Sequence, residues 1–137
     1  MSKKNKHNQI VGSEIERSDD RIEETGEVFT PIELCDEMID SLSEKILKDP
    51  NSTFLDSSAG NGNFLVALKI KLLKYHTEEH IINEMLYAVE LMEDNHKELC
   101  ERLGVSTTHP HYVCADALKY HYAFNGLSSE PITLDNF

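Results

Sequence analysis

Three short apolar runs in this chain each deliver a carboxylate. Thr53-Phe54-Leu55 runs into Asp56, Leu86-Tyr87-Ala88-Val89 into Glu90, and His111-Tyr112-Val113-Cys114 reaches Asp116 after one alanine. Runs this short, bounded by turn residues and separated by helical periodicity, read as buried strands. The order helix, strand, helix, strand, helix, strand with right-handed crossovers gives a parallel sheet flanked by helices, an α/β fold. Ligands of such sheets bind beyond the carboxyl ends of the strands. Three acids are therefore expected on one rim.

The connecting segments carry their own signals. Thr30-Pro31-Ile32-Glu33 predicts a helix start, with Thr30 at the N-cap, Pro31 at the first position and Glu33 completing a capping box. Ile32, Cys35, Ile39, Leu42 and Ile46 then fall three or four apart, and Asp49-Pro50-Asn51 ends that helix. A second helix is expected over 64–75, apolar on several sides through Leu65, Leu68, Ile70, Leu72 and Leu73. A short helical turn follows over 78–84. A third helix over 93–103 turns Leu99, Cys100 and Leu103 inward and stops at Gly104.

Between the first strand and the second helix lies Asp56-Ser57-Ser58-Ala59-Gly60-Asn61-Gly62-Asn63-Phe64-Leu65. An acid, a glycine-punctuated turn and an apolar helix form the floor of a nucleotide-like site in a βα unit. Gly60 permits the tight turn, and Gly62 keeps side chains away from an approaching backbone or ligand.

At 137 residues the chain holds one domain at most. Residues 1–25 lack apolar periodicity, begin basic (Lys3, Lys4, Lys6) and turn acidic, which predicts a disordered or mobile arm ahead of a domain over 26–137. The basic start has no apolar run behind it, so no signal peptide is expected, and no stretch approaches membrane-spanning length. Three cysteines without a Cys-x-x-Cys pair suggest a reducing cytoplasm and no structural zinc. The net charge of −12 opposes duplex DNA, whose affinity comes from cations set against phosphates. Any role on DNA is expected to be indirect, through a partner.

Taken together, Gly26-Glu27-Val28-Phe29-Thr30-Pro31, the Asp56–Leu65 turn, Tyr87-Ala88-Val89-Glu90-Leu91 and Cys114-Ala115-Asp116-Ala117-Leu118 resemble the N-terminal half of an S-adenosylmethionine-dependent methyltransferase. More narrowly, they resemble the adenine-N6 DNA methyltransferases of restriction–modification systems and phages, bacterial or phage proteins. The resemblance implies half of a Rossmann-like sheet: three parallel strands with flanking helices. It implies S-adenosyl-L-methionine as cofactor. Phe29, Thr30 and Pro31 would contact the methionine end, and Asp56, Ser58, Ala59, Gly60 and Gly62 would pass beneath methionine and ribose. Glu90 would accept the two ribose hydroxyls. Leu91 or Met92 would pack on adenine, and Asp116, with Ala117, would meet the adenine amine. Each residue also has a plainer reading: Thr30 as a helix cap, Asp56 and Asp116 as turn formers, Glu90 as the acidic start of a helix.

Two departures stand out. Ser57-Ser58 follows the first acid where the family commonly has proline. The Asn/Asp-Pro-Pro-Tyr/Phe motif that holds a flipped-out adenine is absent, Asn136-Phe137 being no substitute. The expectation is a cofactor-binding protein inactive as a lone chain, with Thr53–Leu55 left on a sheet edge. That edge would be covered by a protein partner, by self-association or by Pro131–Phe137. The alternative is a non-catalytic acidic protein that engages a restriction, methylation or other host factor. His76 and His80 sit four apart, but no third metal ligand is evident. Tyr112, Tyr120, Tyr122 and Phe124 are read as packing around the third strand rather than as a base-stacking platform.

Overall fold

The computed structural model describes residues 29–126. The arm expected over 1–25 and the segment 131–137 lie outside the described residues. The elements run α1 (Ile32–Asp40), α2 (Glu44–Lys48), β1 (Phe54–Asp56), α3 (Asn63–Leu72), α4 (Glu78–His80), a π-helical turn (Ile81–Met85), β2 (Leu86–Glu90), α5 (Glu93–Leu103) and β3 (Tyr112–Cys114).

The three strands form one parallel sheet in the order β1-β2-β3. Phe54 pairs with Leu86 and Asp56 with Ala88, while Ala88 pairs with Tyr112 and Glu90 with Cys114. Among the described residues β1 is therefore an edge strand, and β2 is central. Alternation along a strand places Phe54, Leu86, Ala88 and Tyr112 on one face. Those residues join the core built by Ile32, Cys35 and Ile39 of α1, Leu65, Leu68 and Leu72 of α3, and Leu99, Cys100 and Leu103 of α5. The opposite face carries Leu55, half exposed, and Tyr87, which stacks on His111 at 4.0 Å and meets Phe124 edge-on at 5.0 Å.

Two helical expectations change. The N-cap of α1 is Pro31, with φ −58° and ψ 146° and no side-chain cap bond, so Thr30 lies one residue outside the helix. Its carbonyl instead accepts from Asn63 Nδ2 at 3.1 Å. The long first helix breaks at Ser41. Ser41 Oγ donates to the Met38 carbonyl at 2.6 Å, and Ser43 Oγ accepts the Ile46 amide at 3.2 Å to cap α2. Serines that bond the local backbone compete with helix continuation. The break turns Ile46 outward and puts Leu47, not Ile46, into the core.

α5 spans the residues expected of it and ends at Gly104, left-handed at φ +77°. The turn over 78–84 becomes a Thr77-capped α-turn that widens into the π segment. His76 Nε2 and His80 Nε2 sit 2.7 and 2.8 Å from the carbonyls of Leu47 and Pro50, tying this stretch to the end of α2. Among the described residues no helix is long and apolar enough to cross a membrane.

Candidate functional site at the carboxyl rim of the sheet

The turn after β1 hangs from β2. Asp56 Oδ1 accepts the Ser58 amide at 3.0 Å, an Asx turn that starts the reversal. The Ala59 amide then donates to the Val89 carbonyl at 3.2 Å, and the Gly60 amide to Glu90 Oε1 at 2.9 Å. Gly60 has φ +57° and Gly62 φ +94°, conformations that disfavour a Cβ. Gly62 is the N-cap of α3, and its carbonyl accepts the Val66 amide at 2.8 Å.

Glu90 is buried and gathers three donors. Beside Gly60, its Oε2 accepts the Met92 amide at 2.9 Å and Asn95 Nδ2 at 3.4 Å. A carboxylate offers about four acceptor positions, so some capacity is left. Asp56 lies near enough to feel it. The Asp56 carboxyl is pushed above the usual range, first by burial and then by the Glu90 charge, against the pull of the Ser58 amide. On the third strand the Ala115 amide donates to the Glu90 carbonyl at 3.0 Å, and Asp116 Oδ1 accepts the Leu118 amide at 2.9 Å. The plainer readings of Asp56 and Asp116 as turn formers thus describe one bond each.

Phe29, Thr30, Asp56, Ser58, Ala59 and Gly60 line one cleft, which Asn61, Asn63 and Phe64 complete. Glu90, Leu91, Met92, Asp116 and Ala117 continue along the rim outside it, with Leu91 half exposed. Pro31 is exposed at the head of α1, and Gly62 is buried against α5.

The glycine turn is also held from α5, whose residues carry no motif of their own. Arg102 Nη1, on α5, donates to the Asn61 carbonyl at 2.8 Å and to Asn63 Oδ1 at 3.0 Å, while Asn63 Nδ2 reaches back to Thr30. Arg102 therefore links α5, the turn and the segment before α1. Asn95, one turn into α5, does the same for Glu90. These partners lie 5 to 41 residues away in sequence, and no local motif marks them.

The polar groups suit a ligand with ribose hydroxyls and an amine, because acceptors dominate the rim. The free space does not suit it as the chain stands. A Cβ on Gly60 would lie 3.0 Å from Phe29 Cδ1, so the Phe29 ring covers the bend, and one on Gly62 would lie 2.7 Å from Leu99 Cδ1. The cleft holds about 10 Å³, room for one water, whereas small-molecule pockets run to roughly 300 Å³ or more. A cofactor would fit the acceptors only with Phe29 displaced. Among the described residues no group of three or more His, Cys, Asp or Glu is placed to hold a metal ion.

Comparison with protein-family models and with curated proteins finds no match to this chain.

Proposed function

We propose that residues 29–117 bind S-adenosyl-L-methionine in the manner of the adenine-N6 DNA methyltransferases that the motifs resemble. The observation that carries this reading is that Asp56 and Glu90 end two neighbouring parallel strands, with Asp116 two residues past the third strand and Glu90 bonded to the glycine turn. Glu90 would accept the ribose hydroxyls, Asp116 the adenine amine, and Leu91 or Met92 would flank the ring. Thr30 and the Asp56–Gly62 turn would hold the methionine end once Phe29 has swung aside. Bound there, the cofactor supplies a methyl group on a sulfonium. These 137 residues contain no Asn/Asp-Pro-Pro-Tyr/Phe sequence, so the proposal is cofactor binding. Any transfer to adenine belongs to an assembly with a protein partner, which half-exposed Leu55 and the outer edge of β1, unpaired among the described residues, suit. DNA would be met only through that assembly, in the cytoplasm.

Calorimetric titration of wild type and Glu90→Gln with S-adenosylmethionine tests this. Micromolar binding to wild type, lost or weakened about tenfold or more in the variant, is the expected result. Absence of binding to wild type and to Phe29→Ala alike would overturn it.

A second reading is favoured by the closed cleft and the charge. α1 carries Glu33, Asp36, Glu37 and Asp40 beside half-exposed Leu34 and Met38, within a chain of net charge −12. An acidic protein that docks on a restriction, methylation or other host factor would use that helix. Failure of the cofactor titration together with a stable complex would select it.

A further inference from the structure

A cleft roomier than the one at the rim lies elsewhere in the fold. It lies along the outer side of β3, between that strand, the loop at 107–110 and the returning segment at 120–126, with a volume of about 210 Å³. Two of its wall residues are buried polar side chains with an unmatched group. His96, 6% exposed, has Nε2 at 2.7 Å from the Tyr112 carbonyl and 3.6 Å from Cys100 Sγ. A carbonyl only accepts, so Nε2 carries a proton, and Nδ1 is an acceptor in the imidazole form of the ring. Among the described residues no donor meets it. Tyr120, also 6% exposed, accepts the Phe124 amide on its hydroxyl at 2.7 Å, and the hydroxyl proton has no acceptor among the described residues. Buried polar groups are satisfied in the great majority of cases, so a missing acceptor and a missing donor among the residues lining one cavity point to a guest.

The third side of the groove is held unusually. Tyr122 and Phe124 both take left-handed backbone, at φ +58° and +47°, without being glycine. Their hydrogen bonds are local, Tyr122 Oη donating to the Ala117 carbonyl and the Phe124 amide to Tyr120, while the Phe124 ring rests on Tyr87 of β2. Such conformations cluster where function requires them. Among the described residues β3 is an edge strand, and no backbone bond between it and the 120–126 segment closes the gap.

We propose that this groove binds a neutral planar heterocycle whose edge sets an N–H donor beside an acceptor, as in a primary amide or an aminated nucleobase. The donor meets His96 Nδ1, and the acceptor takes the Tyr120 hydroxyl proton. Thr107 and Thr108 line the mouth, and the acidic chain disfavours phosphorylated forms. This site is separate from the Asp56–Glu90–Asp116 rim and does not depend on it.

The test is titration of the full chain with nicotinamide and with adenine, followed by NMR shifts of the His96 ring nitrogens and the Tyr112 and Val113 amides. The controls are 3-acetylpyridine for nicotinamide and, with adenine used as 9-methyladenine, 9-methylpurine; both keep ring and acceptor but lack the amine. Shifts with nicotinamide alone assign an amide guest, with adenine alone a nucleobase, and with both the shared edge. The amine-less analogues bind at least about tenfold more weakly, and Tyr120→Phe weakens the binding to a similar degree. Should that variant not fold, the analogue comparison on wild type decides. Three results overturn the proposal: no shift with either probe up to roughly 10 mM, which leaves a bridging water as the guest; equal binding of the amine-less analogues; or shifts confined to Glu90 and Asp116.

Discussion

The Gly60 amide and Glu90 Oε1 are joined at 2.9 Å across 30 residues of sequence. The bond makes one carboxylate both a ligand candidate and a strut, because the same side chain also takes the Met92 amide and Asn95 Nδ2. Glu90→Ala strands those donors and is expected to cost about 2 kcal/mol of stability, with Glu90→Gln costing less because one oxygen is kept. Urea unfolding of the three proteins checks the order. Equal midpoints would show that the struts carry no weight.

Gly62 and Gly104 separate backbone strain from crowding. Both have positive φ, but a Cβ on Gly62 would strike Leu99 at 2.7 Å while one on Gly104 meets nothing within 4 Å. Gly104→Ala is expected to cost about 1 kcal/mol, the left-handed penalty alone. Gly62→Ala adds overpacking of about 1 kcal/mol or more. Thermal unfolding of the pair measures the difference, and a smaller loss at Gly62 would contradict the close approach.

Asp56 is expected to weaken the fold that carries it. Burial and Glu90 raise its folded pKa above the ordinary 3.8. Below both values the group is neutral in either state and costs nothing. As pH rises through the raised value, the folded protein must ionise a carboxyl that the unfolded chain ionises more readily, so stability is lost. Asp56→Asn keeps an oxygen for the Ser58 amide and should melt higher than wild type at pH 7, with the gap closing near pH 3. It should also bind cofactor more weakly, the trade expected of a residue kept for function.

His109 and His111 give the opposite slope at higher pH. His109 Nδ1 accepts the His111 amide and its Nε2 lies 2.8 Å from Asn83 Oδ1, while His111 Nδ1 lies 3.0 Å from the Leu86 carbonyl. Burial lowers both pKa values below the ordinary 6.5, and at His109 the His111 charge adds to the lowering. Above about 6.5 both states are neutral. Below it the unfolded chain takes protons first, so stability falls until the lowered folded values are passed. Melting temperatures at pH 7.5, 6.5 and 5.5 should decline, and His109→Gln should flatten the decline.

The sheet was legible because its signals are local and repeated: three apolar runs, each reaching an acid, with α5 bounded by Glu93 and Gly104. The break in the first helix is not legible, because an unbroken spacing from Ile32 to Ile46 conceals Ser41 and Ser43, whose hydroxyls bond nearby backbone instead. The rim residues were legible as a set, and their supports were not. Arg102 joins Asn61 and Asn63 only through the packing of α5 on the turn, and the Phe29 ring reaches Gly60 from before the first helix. Contacts of that range leave no spacing to read.

Ala59 and Gly60 leave β1 but are tied to Val89 and Glu90 of β2. The middle strand is thus the mould for the bend, and the outermost strand only cladding beside it. A neighbour that slid alongside β1, or drew it sideways, would meet a ledge whose shape is anchored one strand further in.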